Sequence, residues 1–158
     1  MENVHYIAYY GKLDNHRNLY IYPAAVAKAS YVISALKQVG YKVTVLSTAG
    51  TKNRYSCRYR RYEKEIDDQE TIIYVDSFGS KHKLLRGFLK IWILLQLFYY
   101  LMVFVKPNDK VIVYHSTSYK WPLLAARALK KFYLIFEVEE IYAASFGKSK
   151  KRQNKEIE

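Results

Sequence analysis

The sequence predicts an α/β protein: a parallel β-sheet flanked by helices, with a β-hairpin insertion. Three observations carry this. Residues 1–47 spell strand, long loop, helix, strand, and residues 110–142 spell strand, helix, strand again. The strands in both stretches are short apolar runs, as strands buried on both faces are. With 158 residues the chain has room for one core. A composition of 51% hydrophobic and 25% charged residues excludes a disordered chain.

The first element is Val4–Tyr10, apolar and rich in tyrosine, read as a buried strand. The polar loop Gly11–Asn18 follows and leads through Tyr20 and Tyr22 to Pro23. Proline suits the first turn of a helix, where its missing N–H needs no partner. Val26, Ala29, Ile33 and Leu36 then recur at helical spacing, while Lys28, Ser34, Lys37 and Gln38 lie on other faces. Gly40 ends this helix as a left-handed cap, and Tyr41–Leu46 is the next strand. Together these make a βαβ unit, the start of a parallel sheet.

Tyr55–Glu65 and Thr71–Val75 read as two antiparallel strands about the turn Ile66-Asp67-Asp68-Gln69. A long helix is predicted over Lys83–Val105. Lys83, Arg86, Lys90, Gln96 and Tyr100 share one side, Ile93, Leu97, Leu101 and Phe104 then take over that side, and the second half is apolar all round. The uncharged run Ile91–Val105 is fifteen residues, short of the roughly 20 that a bilayer core needs. Three readings stay open beside a true span: a core helix with an exposed apolar end, a membrane-surface helix, and a helix covered by a further domain. Lys106-Pro107-Asn108-Asp109 turns the chain into the strand Lys110–Tyr114. A helix Ser118–Lys131 follows, with Pro122 in its first turn, and Tyr133–Val138 is the last strand. The whole is Rossmann-like: residues 1–147 form one folded unit, and 148–158 read as a charged tail.

The formal charge is +12, concentrated in Lys52–Lys64 and Lys148–Lys155. It points to an anionic partner: nucleic acid, an acidic membrane face or a phosphorylated substrate. Arg54–Tyr62 interleaves arginines with aromatics but does not match the aromatic motifs of an RNA-recognition sheet, so nucleic acid is not the expected partner. A basic hairpin resting near anionic lipid explains the same residues. The one cysteine, Cys57, excludes an intrachain disulfide and a multi-cysteine metal site, and fits a reducing compartment. Met1-Glu2-Asn3-Val4-His5 lacks the basic region of a secretory signal. A cytoplasmic protein is therefore expected, with the inner membrane face as its peripheral site.

The candidate site residues gather where predicted strands end. In open α/β sheets, ligands bind at the carboxyl edge. Gly11, Lys12, Asn15, His16 and Arg17 follow the first strand and can hold a phosphate or sugar hydroxyls; a solvated loop fits them equally well. One glycine there makes neither a dinucleotide fingerprint nor a P-loop. His115 and Ser116 follow the strand Val111–Tyr114, which makes His115 the catalytic candidate against a purely structural histidine. No Gly-x-Ser-x-Gly elbow exists to make a hydrolase triad of them. Glu137, Glu139 and Glu140 end the last strand and can accept hydrogen bonds from sugar hydroxyls or act as bases; pairing with Lys130 and Lys131 is the competing reading. His5, His16, His82 and His115 lack ligand spacing, so no metal and no cofactor is expected.

Tyr6-Ile7-Ala8-Tyr9-Tyr10-Gly11, then Tyr22-Pro23-Ala24-Ala25 and Ala35-Leu36-Lys37-Gln38-Val39-Gly40-Tyr41-Lys42-Val43, resemble the amino-terminal lobe of bacterial glycosyltransferases of the GT-B fold. The likeness is to the retaining family-4 group. Val113-Tyr114-His115-Ser116 and Glu137-Val138-Glu139-Glu140-Ile141-Tyr142 extend it to nearly the whole chain up to Tyr142. In that family the amino-terminal lobe holds the acceptor and the other lobe binds the nucleotide sugar. The resemblance thus implies that Gly11 and its loop, His115 and the Glu139–Tyr142 region border the acceptor side of a cleft. It also implies a glycan or lipid-linked, membrane-proximal acceptor. The donor lobe's pair of glutamates separated by seven residues has no counterpart here. Expected, then, is an acceptor lobe inactive alone: a truncated fragment, or one half of an enzyme whose nucleotide-sugar lobe is a separate chain. The alternative is a non-catalytic, membrane-associated adaptor recruiting a partner through Leu94–Phe104.

Overall fold

The computed structural model describes residues 2–11, 22–50, 58–59, 62–78, 80, 82–114 and 117–137. Along them run β1 (Asn3–Ala8), α1 (Pro23–Gln38), β2 (Lys42–Ser47), β3 (Arg58–Tyr59), β4 (Tyr62–Asp67), β5 (Glu70–Tyr74) and β6 (Ser77–Phe78). Then come α2 (Lys83–Phe104), β7 (Lys110–Tyr114), a 3-10 turn at Thr117–Tyr119, α3 (Lys120–Lys130) and β8 (Tyr133–Glu137). The main sheet has six strands in the order β4-β5-β2-β1-β7-β8. All neighbours are parallel except β4, which runs antiparallel to β5 at one edge. β3 and β6 form a separate two-stranded ribbon.

The central strands β1, β2 and β5 read as apolar runs because both faces of the sheet are covered there. On one face, Val26, Ala29 and Ile33 of α1 pack on Tyr6, Ala8, Val43, Val45 and Ile72. On the other, Leu97 and Leu101 of α2 and Leu123 and Ala126 of α3 pack on Ile7, Leu46, Ile73, Val111 and Val113. Local sequence signals set the helix ends. Pro23 is the first residue of α1, and Gly40 beyond its end takes φ +93°, which an L side chain rarely adopts. Lys37 of α1 ties the helix to the β4–β5 turn through Asp67 and, at 3.1 Å, Glu70. Lys130 of α3 donates to the carbonyls of Met102 and Val105, each at 2.6 Å, and so supplies the cation that the last turn of α2 lacks.

Three expectations are refined. The hairpin exists, but its turn is Asp68-Gln69 and its first strand begins at Tyr62, while Arg58–Tyr59 pairs with Ser77–Phe78. β5 lies within the main sheet beside β2, so the hairpin extends that sheet. α3 begins at Lys120, after the 3-10 turn. The correction concerns α2: the partner-recruiting face expected over Leu94–Phe104 is not one surface, because Leu97, Tyr100 and Leu101 are buried in the core. The exposed apolar side runs instead through Leu84, Phe88, Ile91, Leu95, Tyr99 and Val103.

At the amino edge of the sheet His5 joins these layers. Its Nδ1 lies 2.8 Å from the Tyr100 hydroxyl and its Nε2 3.2 Å from Asp109 Oδ2. Asp109 also accepts the Lys106 N–H at 2.7 Å, closing the turn before β7. Burial holds the His5 pKa below its ordinary value of 6.5, against the opposing pull of Asp109. This histidine is a structural tie at the edge opposite the candidate site.

Candidate functional site

The registers bring the carboxyl ends of the parallel strands level: Ala8 beside Ser47, Ser47 beside Tyr74, and Tyr114 beside Glu137. Strand β1 has β2 on one side and β7 on the other, so the chain's direction of winding reverses there. In open α/β sheets such a reversal marks the crevice outside the carboxyl ends of the strands, here β1 and β7, as the usual ligand position.

The β1 and β2 ends are laced together. The Ser47 hydroxyl donates to the Tyr10 carbonyl, and the Thr48 N–H donates to the Ala8 carbonyl at 3.0 Å. Ala49 N–H donates to Ser47 Oγ at 3.3 Å, and Gly50 N–H to the Tyr9 hydroxyl at 3.4 Å. Gly11 is buried beside this lacing. Tyr9 and Tyr22 bring their rings to 5.7 Å at the same place. Helix α1 starts here without a side-chain cap and without an acid in its first turn. Val26 N–H bonds the Tyr22 carbonyl at 3.0 Å. Helix geometry gives the Ala24 and Ala25 N–H groups no intrahelical partner, which favours a negative group nearby.

Glu137, at the end of β8, is a carboxylate tied to α1 through Lys28. Its Oε2 accepts the Tyr6 hydroxyl at 3.0 Å and its Oε1 lies 3.2 Å from Lys28 Nζ on α1. Lys28 Nζ also sits 5.3 Å from the centroid of the Tyr114 ring. The register explains this reach: Ile112 stands beside Tyr6 and Ile135 beside Ile112, so the buried tyrosine leans across β7 towards β8. The side chains of Lys28 and Glu137 remain 34% and 25% exposed. A carboxylate offers about four lone-pair positions, so Glu137 retains acceptor capacity for a ligand hydroxyl, with Lys28 as an adjacent donor. The arrangement suits hydrogen bonding to a polyhydroxylated or anionic ligand.

Of the residues predicted for the site, Gly11 lies within the described structure, at the crevice. Lys12, Asn15, His16, Arg17, His115, Ser116, Glu139, Glu140 and Tyr142 lie outside the described residues, as do Cys57 and the 148–158 tail. The expected pairing of the last strand's carboxylates with Lys130 and Lys131 does not hold for Glu137, whose lysine partner is Lys28. Sequence reasoning missed Tyr6, Lys28 and the Tyr9–Tyr22 pair. A lysine on the second turn of a helix that begins at a strand's carboxyl edge was the available signal for Lys28. Nothing in the sequence distinguished Tyr6 from a core tyrosine.

No protein-family model matches the sequence, and no curated protein matches it at a significant level. Solved structures do match. An α,α-trehalose-phosphate synthase (UDP-forming) from Burkholderia vietnamiensis aligns with TM-score 0.54 at 13% identity, over 85% of this chain and 32% of its own. An α,α-trehalose 6-phosphate synthase from Burkholderia multivorans aligns with TM-score 0.53 at 12% identity, over 86% of this chain and 32% of its own. This chain therefore spans about a third of each synthase's length. Over the aligned residues the fold is the α/β fold of that third of each synthase, and at such identity the likeness is one of fold.

Proposed function

We propose that this chain is the acceptor-binding lobe of a glycosyltransferase of the family-4 kind. In this reading it takes part in moving a sugar from a nucleotide-sugar donor to a glycan or lipid-linked acceptor at the cytoplasmic face of a membrane. The observation that carries the reading is the alignment of 85% of the chain with about a third of a UDP-forming synthase. The crevice at β1 and β7 supplies the chemistry. Gly11 allows close approach, Tyr9 and Tyr22 offer ring faces, and Glu137 with Lys28 offers an acceptor and a donor for sugar hydroxyls. The loop residues Lys12, Asn15, His16 and Arg17, with Ser116, Glu139, Glu140 and Tyr142, complete the acceptor side, and His115 is the candidate to take the acceptor proton.

Transfer requires the leaving nucleotide to be held while the acceptor oxygen approaches. The donor-binding lobe resides, in this proposal, on a partner chain. The test is a tagged pull-down from the native membrane fraction in mild detergent, followed by assay of sugar transfer from nucleotide sugars to the co-purified membrane lipids. A stoichiometric partner with a nucleotide-sugar lobe, and transfer by the pair and not by either chain, is expected. Glu137→Gln should then raise the acceptor KM at least tenfold. Transfer by the purified chain alone, or recovery without such a partner and without activity, overturns the reading. The adaptor alternative is favoured by a separate observation, the exposed apolar side of α2, and predicts that a stable partner binds without any transfer.

A further inference from the structure

Helix α2 is anchored at its middle. Gln96 accepts the Asp76 N–H at 2.7 Å and donates to the Asp76 carbonyl at 2.9 Å, just past the carboxyl end of β5. After this anchor, Leu97, Tyr100 and Leu101 sink into the core. Before it one side of the helix is bare: Leu84 is 90% exposed, and Phe88, Ile91 and Leu95 are each 55% exposed. The steps of four, three and four residues put these four on one side of the helix. At about 1.5 Å per residue, the segment from Leu84 to Gln96 carries roughly 18 Å of helix beyond the anchor. Arg86 and Lys90 occupy the opposite side and are exposed. From Ser77 to Asn108 the sequence has Lys81, Lys83, Arg86, Lys90 and Lys106 and no Asp or Glu.

We propose that the amino-terminal half of α2 inserts lengthwise into the interface of an anionic membrane. The Leu84–Leu95 stripe lies in the acyl boundary, and Arg86 and Lys90 reach up to lipid phosphates. An apolar stripe backed by a basic side is the pattern of an interfacial helix. Trp92 and Tyr99 add the amphipathic rings that settle at headgroup depth. By length and composition Leu84–Phe104 is apolar enough to cross a bilayer. A crossing would pull fully buried Leu97 and Leu101 out of the core, so the helix lies on the membrane. A second copy of this chain would cover the stripe but bring another +12 of charge, leaving the basic side without counter-charge. An anionic bilayer satisfies both sides of the helix. The inference rests on α2 alone and holds whether or not the acceptor-lobe reading does.

The experiment is flotation of the purified full chain with vesicles of mixed phosphatidylcholine and phosphatidylglycerol, and with vesicles of phosphatidylcholine alone. Binding to the mixed vesicles is expected, weakened by salt. The double substitution Phe88→Ser and Ile91→Ser should weaken partitioning between ten- and a hundredfold, since each side chain contributes about an order of magnitude when buried. Arg86→Gln and Lys90→Gln should each cost about fivefold on anionic vesicles. Because all four residues are exposed, the far-UV spectrum and thermal midpoint should stay unchanged. In a Trp121→Phe background, Trp92 emission should shift blue when mixed vesicles are added. Absence of vesicle binding, binding unaffected by the double substitution, or a double substitution that converts a dimer to a monomer without touching vesicle binding would each overturn the proposal. Should the serine variants unfold, the Arg86 and Lys90 variants and the Trp92 shift still decide it.

Discussion

Replacing Tyr6 by Phe removes one oxygen from the centre of the candidate site and leaves the ring in place. The ring is fully buried, and the lost bond is a 3.0 Å donation to a carboxylate. Hydrogen bonds to charged groups contribute about 1.5–3 kcal/mol. Glu137 keeps Lys28 and partial access to solvent, which places the expected cost at the lower end, about 1.5 kcal/mol. The Lys28–Glu137 pair is a third and a quarter exposed at its two ends. Solvent screening holds such a pair to at most about 1 kcal/mol. Tyr6→Phe should therefore destabilise more than Lys28→Met. Urea unfolding of Tyr6→Phe, Glu137→Gln and the double variant gives the coupling directly, and about 1 kcal/mol between the pair is expected. In a domain of this size Tyr6→Phe should lower Tm by roughly 3–6 °C. A neutral Tyr6→Phe, or a Lys28→Met that costs more, would refute the view that the buried tyrosine positions the carboxylate.

Leu101→Ala empties a fully buried site between α2 and the sheet and should cost about 2–5 kcal/mol by calorimetry; a cost under about 1 kcal/mol would mean that this half of α2 is not core. Lys131 ends α3 at φ 56°, so Lys131→Gly should stabilise by roughly 0.5–1 kcal/mol in chemical denaturation; a loss of stability would count against that backbone. The unfolded chain protonates His5 near 6.5 while burial keeps the folded form neutral to lower pH, so protons favour unfolding. Stability should be full well above pH 6.5 and fall as pH drops through 6.5 and below. The urea midpoint followed across that window should show a slope that His5→Gln reduces, and an equal slope in both proteins would remove His5 as its source.

The βαβ opening was readable because its signals are local. Pro23 at a helix start, Gly40 at φ +93° and the spacing of Val26, Ala29 and Ile33 act within a few residues. The strand Lys110–Tyr114 likewise stands in its own apolar run, and both emerged within a residue or two of the pattern. The Tyr55–Glu65 region was harder. Alternation marks a strand without naming its partner, and Arg58–Tyr59 found Ser77–Phe78 while Tyr62–Asp67 found β5. In α2 a run that is apolar all round has no periodicity to show which side meets the sheet. That side was chosen by Gln96 on Asp76 and by Leu97 and Leu101 in the core.

From the sequence alone came the class of fold, the identity of the helices and the excess of positive charge. These depend on spacing and composition, which the chain carries in order. Tertiary structure alone brought Tyr6 to Glu137, 131 positions along the chain, and Lys28 to the same carboxylate. The order of β1, β7 and β8 sets that meeting, and strand order is a property of the whole sheet. The same holds for α2, whose first half has a bare side because the sheet it packs against ends near Asp76, before the helix does.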